Sequence, residues 1–140
     1  MNQKALKTLE YNKILELLEG FATSSLGKQL CRDLKPLDNI VEIEAMQQET
    51  ADALSRVYQK GALSFSGVKD IRGSLKRLEI GSTLGTGELL AVCTLLENTN
   101  RAKAYSRREN QEDTPDSLDS MFEILQPLTP LSLEIRRCIL

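Results

Sequence analysis

Apolar residues in this chain recur every third or fourth position, and no stretch alternates apolar with polar as a half-buried strand does. The central run from Ser64 to Leu84 shows the pattern in miniature. Val68, Ile71, Leu75 and Leu78 fall at i, i+3, i+7 and i+10, one face of a helix. Lys69, Arg72 and Lys76 recur on a separate face. Gly67 precedes this segment and Gly81 follows it, where glycine ends helices by turning left-handed. The spacing predicts a short, basic-topped helix docked between two longer ones.

The flanking sequence continues in the same period. Met1–Glu10 is polar and basic and reads as an extended arm or a frayed first turn. Asn12 is a cap for a helix whose apolar points are Ile14, Leu15, Leu18, Phe21 and Ala22, ending near Thr23. Ser24 or Ser25 caps the next, with Leu26, Leu30 and Leu34 a turn apart. Lys35-Pro36 stops it, because a residue before proline is pushed out of the helical region. Asn39 with Glu42 is a capping-box variant opening a helix from Ile40 to about Lys60. Its seam is Ile43, Met46, Thr50, Ala53 and Val57. Thr50 and Ala53 weaken that seam as a free coiled coil, so packing against a neighbouring helix is expected.

Thr86 is a cap for a helix reaching about Arg108, apolar in its first half and basic in its second. Glu109–Asp119 reads as an acidic solvated loop, with a helix start at Thr114-Pro115. Thr129-Pro130 marks another start. The amphipathic run from Leu131 to Leu140 carries no stop signal, which predicts that the natural polypeptide continues. The sum is an all-α bundle of about six to seven helices in one domain, residues 1–140. Aromatics are only 4% of the chain and Trp is absent, so the core must be built from Leu, Ile, Val and Ala.

Chemistry is sparse. With no His, the commonest general base and metal ligand is missing. Gly81–Gly87 is glycine-rich, but it lacks the lysine and the preceding strand of a phosphate loop and reads as an inter-helix loop. The acidic run has no calcium-loop spacing. No catalytic, cofactor-binding or metal-ligating residue is expected. Cys31, Cys93 and Cys138 fit no metal spacing or disulfide framework and read as buried free thiols in a reducing cytoplasm. No run approaches the roughly 20 apolar residues of a membrane span, and a cytoplasmic protein is expected.

A formal net charge of −2 gives no global pull towards nucleic acid, so such binding needs a local patch. Two exist. One is Lys69, Arg72, Lys76 and Arg77; the other is Arg101, Lys103, Arg107 and Arg108. Either can release counterions from phosphates. Without stacking aromatics or a docking motif, a solvated helix face is the plainer account of each.

The central run Phe65-Ser66-Gly67-Val68-Lys69-Asp70-Ile71-Arg72, continued by Leu75-Lys76-Arg77-Leu78-Glu79-Ile80-Gly81, resembles the N-terminal core segment of the second-type MutS proteins. Flanking matches keep the same order. Thr8-Leu9-Glu10-Tyr11-Asn12-Lys13-Ile14 is similar to that family's opening, and Thr23-Ser24-Ser25-Leu26-Gly27 to its following turn. Glu49, Thr50 and Ala53 are similar to its Glu-Thr-x-x-Ala helix, and Ile135–Ile139 to the start of its next core helix. The Phe-x-Glu wedge of the mismatch-repair type is absent.

The resemblance implies a larger protein that forms a homodimeric, ring-like clamp on DNA. It implies a downstream ATPase using ATP and Mg, often followed by an Smr endonuclease domain. The implied roles are mismatch repair, suppression of recombination, or action on stalled ribosomes through rRNA. Residues 1–140 correspond to the first part of the helical core or lever domain. The family's nucleotide-binding, clamp-tip and nuclease motifs have no matching positions here, so none is carried over. The rival reading is a self-contained helical adaptor for a protein partner.

Overall fold

The computed structural model describes residues 2–107 and 114–140. Eight helices and no strand lie among the described residues, so the chain is all-α. Arg108 and the acidic residues Glu109, Glu112 and Asp113 lie outside them.

The N-terminal arm is a helix. The Asn2 side chain accepts from the Ala5 amide at 2.8 Å, and α1 runs Gln3–Thr8. That cap was not anticipated, and it is what turns a polar arm helical. Glu10 takes a left-handed φ of 54°, bending the chain directly into α2, Tyr11–Glu19. Asn12 therefore sits inside α2 rather than capping it, and the helix stops at Gly20 instead of near Thr23. Ser24 does cap α3, Ser25–Arg32, accepting from the Gly27 amide at 3.0 Å. The Lys28 ammonium donates to the Glu19 carbonyl at 3.1 Å, and Arg32 pairs with the Glu19 carboxylate, which closes the α2–α3 hairpin. The Tyr11 hydroxyl donates to the Leu34 carbonyl at 2.7 Å.

α4 spans Ile40–Lys60, as its spacing predicts. Asn39 accepts from the Val41 and Glu42 amides at 3.0 and 3.3 Å, and Gly61 ends the helix at φ 80°. Its seam behaves differently from expectation. The helix pairs that pack along one another are α1 with α2, α2 with α3, and α6 with both α7 and α8. α4 is in none of these, and its seam borders an apolar groove of about 400 Å³ lined by Tyr11, Leu34, Pro36, Leu37, Ile43 and Met46.

The central helix is shorter than its apolar spacing suggests. α5 covers only Arg72–Glu79. Asp70 accepts the Arg72 amide at 3.0 Å, a local side-chain turn that competes with helix, and Gly67 takes φ 83°. Val68 and Ile71 are half-buried, but Leu75 and Leu78 are largely exposed and α5 is in none of the closely packed helix pairs, so the stripe does not dock between two longer helices as its spacing predicts. The C-terminus of α5 is a Schellman motif. The Gly81 amide donates to the Leu78 carbonyl and the Ser82 amide to the Arg77 carbonyl, both at 2.9 Å, with Gly81 at φ 83°. A Cβ at Gly81 meets nothing within 4 Å, so any cost is purely conformational. Gly81→Ala is expected to lower stability by about 1 kcal/mol, read as a lower urea midpoint at unchanged slope.

The core lies between α6, Thr86–Ser106, and α8, Thr129–Ile139. The Glu88 carboxylate accepts from the Gly85 amide at 2.9 Å, so Gly85 rather than the expected Thr86 is the cap, and Thr86 is the first residue of α6. Cys93, Leu96, Ala102 and Ile135 are the buried apolar side chains among the described residues. Ser132, Ile135 and Ile139 share one face of α8, and small Cys93 and Ser132 let the two helices approach (Sγ to carbonyl 3.5 Å). Pro130 sits in the first turn of α8, as expected. The short α7, Asp119–Glu123, begins later than Thr114-Pro115. Cys93 is buried and Cys31 half-buried, but Cys138 is exposed because it turns off the α8 face that meets α6.

Candidate nucleic-acid interface

The first basic patch is only partly on a helix. Lys69 lies in the loop before α5, and Arg72 and Lys76 follow one another on α5 at i and i+4. Arg72 is already engaged. Its guanidinium donates from Nε and Nη2 to Asp70 at 2.9, 3.1 and 2.7 Å. The hydrogen bond from Arg72 holds the Asp70 carboxyl down at about 2. Arg77 is exposed but also engaged, donating to Glu88 at 2.6 Å and to the Thr83 carbonyl at 3.2 Å. That leaves Lys69 and Lys76 as the cations of this patch that enter no ion pair among the described residues.

Asp70 is a depressed carboxylate, so whatever its pairing contributes is present above the unfolded-state value near 4 and lost as pH falls through about 2. The carboxyl carbon shift of Asp70 is expected to titrate in that low window. A midpoint near 4 would show that the Arg72 contact is not held in solution.

The second patch lies on the last turns of α6. Arg101 is exposed on α6. Lys103 is half-buried, its ammonium 3.4 Å from the Glu123 carbonyl. Arg107 is the exposed C-cap of α6, and Arg108 lies outside the described residues. Two of the candidate cations, Arg72 and Arg77, are thus paired with neighbouring carboxylates.

A buried charged cluster was not singled out from the sequence. The side chain of Arg56, only 9% exposed, forms a bidentate pair with Asp116 at 2.7 and 2.6 Å and reaches Asp119 at 2.8 Å. It also lies 4.8 Å above the Phe122 ring, a cation–π contact. Arg56 holds the Asp116 carboxyl below the usual carboxylate range, and Asp116 raises the guanidinium in return. One turn earlier Asp52 accepts from the Ser117 amide at 2.9 Å and its hydroxyl at 2.5 Å, which lowers the Asp52 carboxyl. One turn later Lys60 donates to the carbonyls of Tyr105 and Arg107 at 3.1 and 2.7 Å. Asp116 and Asp119 are therefore not part of a solvated loop, as the acidic run suggested; they fold back on Arg56. The available signal was Asp52, Arg56 and Lys60 at i, i+4 and i+8 on one helix. No group of His, Cys, Asp and Glu among the described residues is arranged to hold a metal ion.

No family model matches this chain. Individual relatives do. The protein named Endonuclease MutS2 of Lachnoclostridium phytofermentans is 52% identical over the whole chain. Those of Agathobacter rectalis and Lachnospira eligens are 46% and 40% identical, again over the whole chain. The chain belongs to the MutS2 family. It spans only 17–18% of the length of these MutS2 relatives. The resemblance read from the central run and its flanks is thereby borne out, as is the all-α fold. No described helix is long and apolar enough to cross a membrane.

Proposed function

We propose that these residues are a helical support at the N-terminal end of a MutS2-type protein which, as a whole, closes on DNA as a cytoplasmic homodimeric clamp. In this reading ATP, Mg and any endonuclease chemistry belong to the remaining four-fifths of the family's length. The observation that carries it is the coverage: end-to-end identity of 40–52% to proteins named Endonuclease MutS2, over less than a fifth of their length. The exposed cations Lys69, Lys76, Arg101 and Arg107 are then the residues in reach of a phosphate backbone. Ribosomal RNA in place of DNA uses the same contacts.

Fluorescence anisotropy with labelled duplex DNA and structured RNA, across a salt series, tests this. Weak binding that fades with salt is expected, and Lys69→Gln with Lys76→Gln should reduce the log–log salt slope by about 1 per lysine. A preference for one nucleic acid decides between DNA and rRNA. No salt-dependent binding to either removes these residues from the interface. Saturable binding of a labelled nucleotide at micromolar concentration contradicts the division of labour proposed.

The adaptor reading is supported by one observation, bare apolar side chains, among them Phe21 in the turn after α2 at 85% and Tyr58 on α4 at 82% exposed. Under it, a protein partner binds those side chains, and Phe21→Ser abolishes binding while leaving nucleic-acid affinity unchanged.

A further inference from the structure

We propose that α4 is a lever held closed by a polar clasp, free to swing as a rigid rod about Gly61 once the clasp loses its charges. The clasp is a single stripe of α4. Asp52, Arg56 and Lys60 recur every four residues, and every hydrogen-bond partner they take outside α4 among the described residues lies between Tyr105 and Asp119. Ser106 completes the set, its hydroxyl 3.4 Å from Arg56 Nη1. These three contacts grip the last turns of a helix about 30 Å long. α4 is in none of the closely packed helix pairs, and its earlier turns only border the apolar groove walled by Tyr11, Leu34 and Pro36.

Three features make the closed state reversible. First, the centre of the grip is ionic, Arg56 with Asp116 and Asp119. Taking charges from water into a protein interior costs nearly as much as their pairing returns, so a buried ion cluster is close to balanced against its hydrated form. Second, the clasp backs onto a polar cleft of about 450 Å³ lined by Gln48, Ser55, Gln59, Thr114 and Pro115. Parting groups therefore meet water rather than an apolar void. Third, the chain leaves α4 through Gly61 at φ 80°, with nothing within 4 Å of the place a Cβ would occupy. That is a pivot with room to turn. On the far side, α1–α3 are tied to the chain beyond α4 by one hydrogen bond among the described residues, Phe65 amide to Thr23 hydroxyl at 3.1 Å. A swing of α4 carries them with it. The inference stands apart from the function proposed above, because no nucleic acid or nucleotide enters its test.

The test is a distance measurement by pulsed dipolar spectroscopy. Spin labels go on Glu44→Cys in α4 and Asn100→Cys in α6, both exposed, in a chain carrying Cys31→Ser and Cys138→Ser; buried Cys93 is left in place. The parent should give one narrow distance. Arg56→Gln should add a second, longer distance at no less than about tenfold its parental population. Amide exchange in α6 and α8 should stay slow. The milder pair Lys60→Gln with Ser117→Ala should move in the same direction, and it supplies the reading if Arg56→Gln does not fold. An unchanged narrow distance in a folded variant overturns the clasp. Loss of α6 and α8 protection together with the distance overturns the lever, because the helices would then open as one unit.

Discussion

Ile135→Ala should lower the free energy of unfolding by about 2–5 kcal/mol, the range for deleting a buried branched side chain and leaving a cavity. Ile135 is 8% exposed and comes from the one face of α8 that meets α6. It joins Cys93, Leu96 and Ala102, the other buried apolar residues among those described. So small a core has no second layer to absorb the loss, and a domain stabilised by about 5–15 kcal/mol feels it as a large fraction. Urea unfolding followed by far-ultraviolet circular dichroism reads it. Leu133→Ala, on the opposite face and 62% exposed, is the control and should change stability by no more than about 0.5 kcal/mol. Equal costs for the two would mean that α8 is rotated or undocked in solution.

Asn98→Leu is the second expected result. Asn98 is 3% exposed, and its amide donates to the Ser64 carbonyl at 3.1 Å. That bond fastens the Gly61–Ile71 connection across the flank of α6, helped by the Tyr105 hydroxyl on the Gly61 carbonyl at 2.9 Å. Leucine keeps the volume and removes the carbonyl's donor. Ser64 is exposed and water can take that place, so the expected cost is about 0.5–1.5 kcal/mol, the net worth of one hydrogen bond. Amide exchange should quicken first between residues 62 and 71. If global stability falls but exchange there does not change selectively, the amide serves packing and not the loop.

Much of this architecture was legible because helices announce themselves in one dimension. Asn39 and Gly61 bound α4 where the spacing placed its ends, and Gly81 closes α5 as expected. What escaped prediction depends on contacts distant in sequence or on a single backbone angle. The left-handed Glu10 moved the start of α2 forward. The Asp70 side chain took the Arg72 amide and shortened α5, although the apolar period ran on through Val68. The same carboxylate also disarmed a candidate phosphate contact. Asp116 and Asp119 looked like solvated charges because nothing in their own neighbourhood names Arg56, some sixty positions earlier. Helix period records which way a side chain faces, but not which charge waits opposite.

The thiol of Cys138 stands in the open on α8, while that of Cys93 is sealed between helices and pushed up by burial. The two will age differently in air. Stored without a reductant, this chain should accumulate covalent pairs through position 138, leave position 93 untouched, and return to single chains when dithiothreitol is added.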